Sequence, residues 1–523
     1  MIRPSVLAFA ILAISHLHAQ VFTQGSLKYA VNGEGCVAII GCTSSQSGFL
    51  RVPNQIVYQG SSYRVNAIRA RAFAGQSKVL NLILPEQLDT IGFDAFYGCH
   101  NLRNITGLKR LDVCEPYAFS KTALTSLDWS QVTVGTLCDG VFAQCTKLAQ
   151  VSLPAELTSL PEAIFQGCTS LTSVNLSSLP LTQIGPRAFA HCTAFQALEL
   201  PSTLLGIGDE AFAGMTALIS IELPAGITSI GVQAFADCSM LQTVELPDGL
   251  VTLGYSPFAR SGALREVVLP AKITDIDDKF VFADCPALET ISIAASAPYY
   301  SSTDGVLRNR LGNKIIAYPP TLSRQVHPTL RTTSQPLAPG ALMGCELDEV
   351  LLLPAPVNTI PREAFAGTSG LKSLEMATRS NLTTIEIRAF EKSRDLTYVD
   401  IPSKTKTIGN AAFRGDESIQ EIFVWATSAP ALPDSAFSQT VYENAVLYTP
   451  TGKTELYTSA PGWSLFNHIS DDSATGIERN EELRIKNEEL NDEAVYDLAG
   501  RKVFNGKLRQ GIYIVNAKKR VIK

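Results

Sequence analysis

The chain contains 523 residues, of which 18% are charged and 46% are hydrophobic, and its formal net charge at pH 7 is −6. A net negative charge excludes a general affinity for nucleic acid, because proteins that bind phosphate backbones by charge present basic surfaces. The length would ordinarily indicate several globular domains, unless the chain is built from repeats that stack without a single enlarging core.

The first residues have the pattern of a secretion signal. A short positive start, Met1–Arg3, precedes an apolar run from Val6 to Leu17, and Ala19 gives an acceptable cleavage site before Gln20. This run is too short for a transmembrane helix, and no other stretch reaches about 18 uninterrupted apolar residues. The sequence therefore predicts a signal peptide over residues 1–19, with a buried N-terminal element as the alternative, and no membrane span.

Residues 20–65 are predicted to form an N-terminal cap. Cys36 and Cys42 flank an apolar segment next to Gly33 and Gly41, which indicates a hairpin leading into the first repeat. In an exported protein a Cys36–Cys42 disulfide is one expectation for this cap, and free thiols are the other.

Phenylalanine then recurs at a nearly constant interval of 23 to 25 residues, with Leu342 holding the slot in the one long gap. A period in the low twenties indicates one supersecondary unit copied many times. We expect the repeated rings to stack into a buried aromatic spine that includes Phe96, Phe119, Phe142, Phe165, Phe189, Phe212, Phe235 and Phe258.

Apolar residues recur at six, nine and eleven positions after each repeated Phe, and Pro often follows at twelve. Alternation of apolar and polar residues at nine to eleven predicts a strand with one buried face, which Pro ends because it cannot donate to a ladder. The Ala-Phe segment is too short for an independent helix and is interpreted as a helical turn or a tight bend. The predicted fold is a repeat solenoid of about 23 residues per coil with stacked parallel strands.

Seven of the eleven cysteines lie three residues after a slot of this grid. Their spacing by whole repeats favours a small buried position in each coil over metal binding, which needs ligands at short spacing. Cys114 and Cys138 instead occupy near-equivalent places on adjacent coils. Coils stacked at about 5 Å permit a disulfide, so we consider both a Cys114–Cys138 bond and free thiols.

The exposed strand position, ten after each Phe, carries carboxylates in three successive coils, at Glu199, Glu222 and Glu245, and again at Glu375 and Asp400. One interpretation is an acidic stripe for a basic partner surface or a divalent cation. The other is a solvated face that keeps the protein soluble, because stacked like charges are unfavourable unless solvated or neutralised.

No catalytic motif is present. The histidines are scattered, and there is no H-E-x-x-H, G-x-S-x-G or P-loop pattern. The sequence therefore predicts a non-enzymatic protein without a cofactor or metal. A carbohydrate-binding role is the weaker alternative, because tryptophans that could act as platforms are few, namely Trp129, Trp425 and Trp463.

The pattern L-x-x-I-x-L-P followed by I-G-x-x-A-F-x-x-C resembles the BspA-type leucine-rich repeat over residues 66–470. The resemblance implies an open, right-handed stacked coil with strands on one face. It also implies a β-hairpin insertion at 298–320, and an end-cap at 445–470 that closes the apolar end of the array.

The last segment changes character. Residues 471–493 are rich in turn-forming and charged residues and indicate a linker. Residues 494–523 contain three short strand-like runs, and their Y-D-L-x-G-R and G-I-Y-I-V motifs resemble the C-terminal sorting domain of type IX secretion. The alternative is a small β appendage without a sorting role.

Together these features predict a secreted or outer-surface binding protein. The BspA resemblance implies an adhesin that engages host or matrix protein through the solenoid face. The alternative is a structural or interbacterial surface spacer without a specific host ligand.

Overall fold

The computed structural model describes residues 20–33, 35–43, 48–274, 276, 279–325, 337–353, 356–376 and 380–471, and the backbone of five short strands between 484 and 522. The predicted signal peptide lies outside the described residues. The chain divides into two compact units, one ending at Ala194 and the other beginning at Phe195.

The first unit opens with antiparallel strands and continues with parallel ones. Val21–Gln24, Leu27–Gly33 and Cys36–Cys42 pair antiparallel in succession, and from Cys36–Cys42 onward each successive coil adds one parallel strand. The remaining strands are Gly48–Arg51, Gln55–Tyr58, Ser61–Ile68, Val79–Ile83, Gln87–Ile91, Asn104–Thr106, Arg110–Cys114, Ser126–Asp128, Thr133–Leu137, Gln150–Ser152, Ser159–Leu160, Ser173–Val174 and Gln183–Ile184, with a 3-10 helix at Leu176–Ser178.

The second unit repeats this construction and contains one short helix, Pro320–Ser323, in its middle. Near its end come the helices Gln439–Asn444 and Thr454–Ser459 and the 3-10 turn Trp463–Leu465. Its strands are Ala197–Leu198, Gly206–Ile207, Ser220–Ile221, Ser229–Ile230, Thr243–Glu245, Thr252–Leu253, Glu266–Leu269, Thr290–Ile293, Tyr300–Thr303, Val306–Asn309, Ile315–Ala317, Val350–Leu353, Thr359–Ile360, Ser373–Met376, Thr384–Ile385, Tyr398–Ile401, Thr407–Ile408, Glu421–Val424, Val446–Tyr448 and His468–Ser470.

Each regular coil contributes two short strands, and the coil that precedes Phe235 in the chain is a representative example. Ser220–Ile221 is the predicted strand, and it pairs in parallel with the strands of the coils on either side. Ser229–Ile230 is a second strand in the same coil, which the sequence interpretation left unassigned, and it pairs with Thr252–Leu253. The stacked parallel strands confirm the predicted solenoid.

The Ala-Phe segment is a tight bend and not a helical turn. Gln233 and Asp237, two residues before and after Phe235, have φ angles of 51° and 59°. Such left-handed residues cannot belong to an α-helix and are unfavourable for side chains other than Gly. Backbone hydrogen bonds to the next coil offset that cost, from Gln233, Phe235 and Asp237 N–H to the carbonyls of Tyr255, Pro257 and Ala259 at 2.9, 2.8 and 2.7 Å.

The rings of the grid stack as a buried column within each unit. In the first unit neighbouring ring centroids are 5.1 Å apart at Phe73–Phe96 and 6.0 Å apart at Phe142–Phe165. In the second unit Phe235 stacks on Phe212 at 5.3 Å and on Phe258 at 5.7 Å. All eight predicted spine residues are fully buried, which places the core of each coil beneath the bend.

An antiparallel insertion interrupts the second unit. Tyr300–Thr303 pairs with Val306–Asn309, which pairs with Ile315–Ala317. After the last coils, Phe466 packs edge-on against Phe437 at 5.5 Å, and Tyr457 and Trp463 are fully buried. This segment covers the end of the aromatic column.

The five strands beyond the array form one sheet, in the order Arg484–Ile485, Lys518–Ile522, Gly511–Val515, Val495–Asp497 and Lys502–Val503. Four of them fall within the predicted tail at 494–523. Arg484–Ile485 lies in the predicted linker and pairs in parallel with Lys518–Ile522. The rest of that linker beyond Asp471 lies outside the described residues.

Candidate binding surface

The predicted acidic stripe lies on the outward side of the strands of the second unit. Ala197–Leu198 pairs with Ser220–Ile221, and Ser220 pairs with Thr243, so Glu199, Glu222 and Glu245 occupy one row at the strand ends. Adjacent parallel strands are about 4.8 Å apart. All three side chains are exposed.

Within the second unit the stripe ends at an uncharged residue. On one side Glu245 pairs in register with Val268. The equivalent slot of the first unit holds Asn175, whose side-chain amide accepts from the Leu153 N–H at 2.7 Å and donates to the Leu153 carbonyl at 3.2 Å. Among the described residues no cation pairs with any of the three glutamates, so their negative potential faces solvent.

The later members of the row have a different environment. Glu375 and Asp400 are half-buried. Ser373 Oγ donates to Glu375 Oε1 at 3.3 Å, and the Trp425 indole N–H donates to Asp400 Oδ1. These two carboxylates therefore have partners within the chain and do not extend the stripe of exposed, unpaired charge.

The cysteines at the repeated slot act as buried hydrogen-bond donors. Cys238 Sγ donates to the Phe212 carbonyl of the preceding coil at 3.3 Å, and Cys99 makes the same contact to Phe73 at 3.2 Å. Where the slot holds serine, as at Ser261, the hydroxyl donates to the Phe235 carbonyl at 3.0 Å. Burial raises the pKa of the Cys238 thiol to about 12, so the thiol stays protonated and able to donate.

In another coil this position holds a carboxylic acid. Asp416 occupies the slot with a relative exposure of 0%, and neither of its carboxyl oxygens has a hydrogen-bond partner. Burial raises the pKa of Asp416 from 3.8 to about 8. Only the protonated carboxyl can donate a hydrogen bond, as the Cys and Ser side chains at this position do in other coils.

The predicted Cys36–Cys42 bond has no support in this structure. The two residues are the ends of one continuous strand, and a strand of this length spans roughly 20 Å. A disulfide requires Cα atoms within about 7 Å, so the strand would have to bend back on itself. Both thiols are free.

Cys114 and Cys138 lie on neighbouring coils, and the Cys138 N–H donates to the Cys114 carbonyl at 3.0 Å. The strand register pairs Cys114 with Leu137, so Cys138 is offset by one residue. Cys114 is buried, Cys138 is half-buried, and both are free thiols. A bond between them remains a prediction.

The structure offers no assembled catalytic or metal centre among the residues it describes. In these ranges no group of three or more His, Cys, Asp or Glu side chains could hold a metal ion. His100, His191 and His468 are exposed and separate, and His327 lies outside the described residues. The stripe therefore gains no support as a cation site.

A cavity of about 550 Å³, which the sequence interpretation did not identify, lies on the strand face of the first unit. Its lining includes Phe49, Asn81, Asn104 and Asp128 on successive strands, with Trp129 beside them. The strand register aligns Phe49 with Asn81 and Asn81 with Asn104. Counting from the repeated Phe would have found the amide pair, because Asn81 and Asn104 lie eight residues after Phe73 and Phe96.

The tryptophans are not exposed platforms. Trp129 and Trp463 have relative exposures of 2% and 0%, and Trp425 is half-buried. The Trp463 indole N–H donates to the Pro430 carbonyl at 2.8 Å. The aromatic ring most open to solvent on the strand face is instead Phe49, with a relative exposure of 70%.

A family model described as the BspA type leucine rich repeat region matches the chain in six copies, over residues 66–196, 182–302 and 337–459. These segments make up more than half of the chain. The chain belongs to the BspA-type leucine-rich repeat family. Proteins of this family are generally non-enzymatic interaction scaffolds and are typically found at the cell surface or secreted.

Several solved structures resemble this BspA-type protein. A leucine-rich repeat protein from Bacteroides ovatus is 21% identical, with a TM-score of 0.45 and coverage of 77% of this chain and 94% of that one. A leucine rich cell surface protein from Faecalibacterium prausnitzii is 19% identical, with a TM-score of 0.37 and coverage of 85% and 98%. The pneumococcal vaccine antigen PcpA is 15% identical, with a TM-score of 0.37 and coverage of 86% and 98%.

No curated protein matches the chain. Within the residues that the structure describes, none of the helices has the length and apolar character needed to cross a membrane.

Proposed function

We propose that this BspA-type protein is a non-enzymatic adhesin-like binding protein that engages an extracellular host or matrix protein through the strand face of its second unit. The observation that carries the proposal is the row Glu199, Glu222 and Glu245. These carboxylates are exposed and lack cationic partners in the described residues. They are held on a scaffold whose register fixes their spacing.

The chemistry of the row defines the partner. Three carboxylates at a spacing of about 4.8 Å attract a basic patch, and release of their mutual repulsion on binding would add to the attraction. Charged surfaces of this kind mainly accelerate association and set specificity. We therefore expect binding to a basic protein surface that weakens as the salt concentration rises.

The test uses the purified chain and immobilised fibronectin, fibrinogen, laminin, collagen and mucin in biolayer interferometry at physiological salt. Saturable binding to one of them that is lost in the double variant Glu222→Gln with Glu245→Gln supports the proposal. The matched control is Glu156→Gln with Glu417→Gln, which removes the same charge from exposed positions outside the row.

Two results would contradict it. A flat response across the panel favours the alternative, a structural or interbacterial spacer without a host ligand. Equal losses in the double variant and in its control would show that overall charge, and not the row, governs binding.

We further propose that the protein is secreted or attached to the outer cell surface, with residues 1–19 as its signal peptide and residues 494–523 as a type IX sorting signal. Support comes from the apolar run Val6–Leu17 and the tail motifs, together with the usual location of the family. Deleting residues 494–523 in a host with type IX secretion should retain the protein in the periplasm. Unchanged export would contradict the sorting role.

A further inference from the structure

The cavity on the strand face of the first unit combines unused hydrogen-bonding groups with an open aromatic ring. Asn104 Nδ2 donates to Asn81 Oδ1 at 2.7 Å. This single bond leaves Asn81 Nδ2 as a donor and Asn104 Oδ1 as an acceptor, both without partners among the described residues. Two linked amides with opposite free groups can bind a ligand that both donates and accepts.

Asp128, which lines the same cavity, adds a fixed acceptor. Its Oδ1 accepts from the Ser130 N–H at 3.1 Å and from Ser130 Oγ at 2.7 Å. These bonds orient the carboxylate and lower its pKa. Oδ2 receives no hydrogen bond within the described part of the chain and remains available to a ligand hydroxyl.

Trp129 lines the same cavity. The residue is 2% exposed, yet no described residue accepts a hydrogen bond from its indole N–H. A buried tryptophan normally bonds its N–H, as Trp463 does in this chain. The Trp129 nitrogen is not among the enclosed unpaired atoms of the described residues, so its N–H can donate to water or to a ligand.

The lining also excludes several ligand classes. No lysine or arginine contributes to it, and its one charge is the carboxylate of Asp128, so phosphate, sulfate and other anions are disfavoured. The Phe49 ring offers a flat apolar surface at one end. The volume of about 550 Å³ lies within the usual range for small-ligand sites.

We propose that this cavity binds a short neutral saccharide. Its ring hydroxyls would bond to Asn81, Asn104, Asp128 and the Trp129 N–H, and one apolar sugar face would stack on Phe49. The proposal adds a ligand class to the function proposed above and does not depend on it, because the two surfaces share no residue. An extended peptide is the competing occupant, which the test distinguishes.

The experiment titrates the full chain with lactose, maltotriose, mannotriose, cellotriose and diacetylchitobiose, using saturation-transfer NMR and calorimetry. At least one should bind saturably. If lactose binds, its sialylated form should bind less tightly because of the Asp128 charge. Loss of the Asn104 amide in Asn104→Ala should weaken binding about tenfold, and Phe49→Ala should also weaken it.

Asn101→Ala is the matched control. Asn101 is an exposed asparagine of the same coil whose amide donates to the Ser77 carbonyl and which does not line the cavity. Its substitution should leave saccharide affinity unchanged, and circular dichroism melts should show that all three variants fold.

Three outcomes overturn the proposal. They are the absence of saturable binding across the saccharide panel, equal weakening by Asn101→Ala and Asn104→Ala, and a protein ligand that loses affinity in Asn104→Ala while no saccharide binds. The third outcome would assign the cavity to a peptide. None of them depends on the Glu199–Glu245 row, so failure here is separable from failure of the adhesin proposal.

Discussion

The buried bend and the exposed strand face are built from the same coils, yet they vary in opposite ways. At the bend, nearly every coil has a buried Phe ring, and the position three residues later is mostly Cys, Ser or Thr. On the strand face, adjacent coils present an Asn pair with Asp128 in one region and three glutamates in another. Only the buried bend carries similar residue types from one coil to the next.

The difference has a physical cause. A buried position must match the coils on both sides in volume and hydrogen bonding, because interiors are close-packed and unpaired polar groups are costly. An outward side chain meets solvent and need only preserve the strand. Selection for ligands can therefore act on the face of any coil without disturbing the stack.

The largest expected effect is at the aromatic column. Phe235→Ala removes a ring that stacks on both neighbours, at 5.3 and 5.7 Å, and should lower the free energy of unfolding by about 3–5 kcal/mol. Urea denaturation followed by circular dichroism measures the change. Phe49→Ala, which removes an exposed ring, should have little effect on stability; comparable losses would refute the contrast between bend and face.

The next effect concerns Asp416, the one carboxylic acid at this position of the repeat. Its pKa is raised from 3.8 unfolded to about 8 folded, so the folded state holds the proton more tightly. Stability therefore falls as pH rises from about 4 to 8, and below the unfolded pKa there is no penalty.

Asp416→Ser removes this dependence and supplies a hydroxyl that can donate to the Phe390 carbonyl, as Ser393 donates to that of Phe365 at 2.8 Å. We expect a gain on the order of a few kcal/mol at pH 8 and almost none at pH 4, measured by thermal melts across this range. A gain that is independent of pH would show that the carboxyl is not the cause.

A smaller effect is expected at the cysteine slot. Cys238→Ser retains the donor and should cost about 1 kcal/mol or less, whereas Cys238→Ala also loses the bond to the Phe212 carbonyl. Because burial raises the pKa of Cys238 to about 12, its thiol should resist alkylation at pH 8 in the folded protein. Rapid labelling of Cys238 under native conditions would contradict this.

The same labelling tests the remaining disulfide prediction. If Cys114 and Cys138 are bonded in the exported protein, both should be protected until a reductant is added. Peptide mapping without reductant that recovers both as free thiols would reject the bond and agree with the offset strand register.

The smallest effect on stability is expected on the strand face. Glu222→Gln with Glu245→Gln removes two stacked charges that have no partners in the described residues, so unfolding should be unchanged or slightly harder. Denaturation of this variant beside the wild type checks the expectation. A clear loss of stability would mean that the row is structural and would weaken the adhesin proposal.

Much of the fold could be predicted from the residue spacing. Phe235 with Leu241, Val244 and Leu246 defines a coil in which the same side chains must be buried, and stacking is the only way for so short a unit to bury them. The buried column and the parallel strand row follow from this requirement. The tight bend could not be predicted in this way, because Gln233 and Asp237 have positive φ angles that are offset by hydrogen bonds from their N–H groups to carbonyls of the next coil.

The sequence by itself determined the period, the identity of the buried slots and the absence of a catalytic motif, because these are properties of one coil copied along the chain. Tertiary structure decided which outward side chains meet and which retain unused hydrogen-bonding groups. Phe49 lies outside the Phe grid, and the Asn81–Asn104 hydrogen bond forms only between neighbouring coils. A repeat pattern specifies what every coil must bury, whereas a binding site depends on how unlike neighbours are aligned.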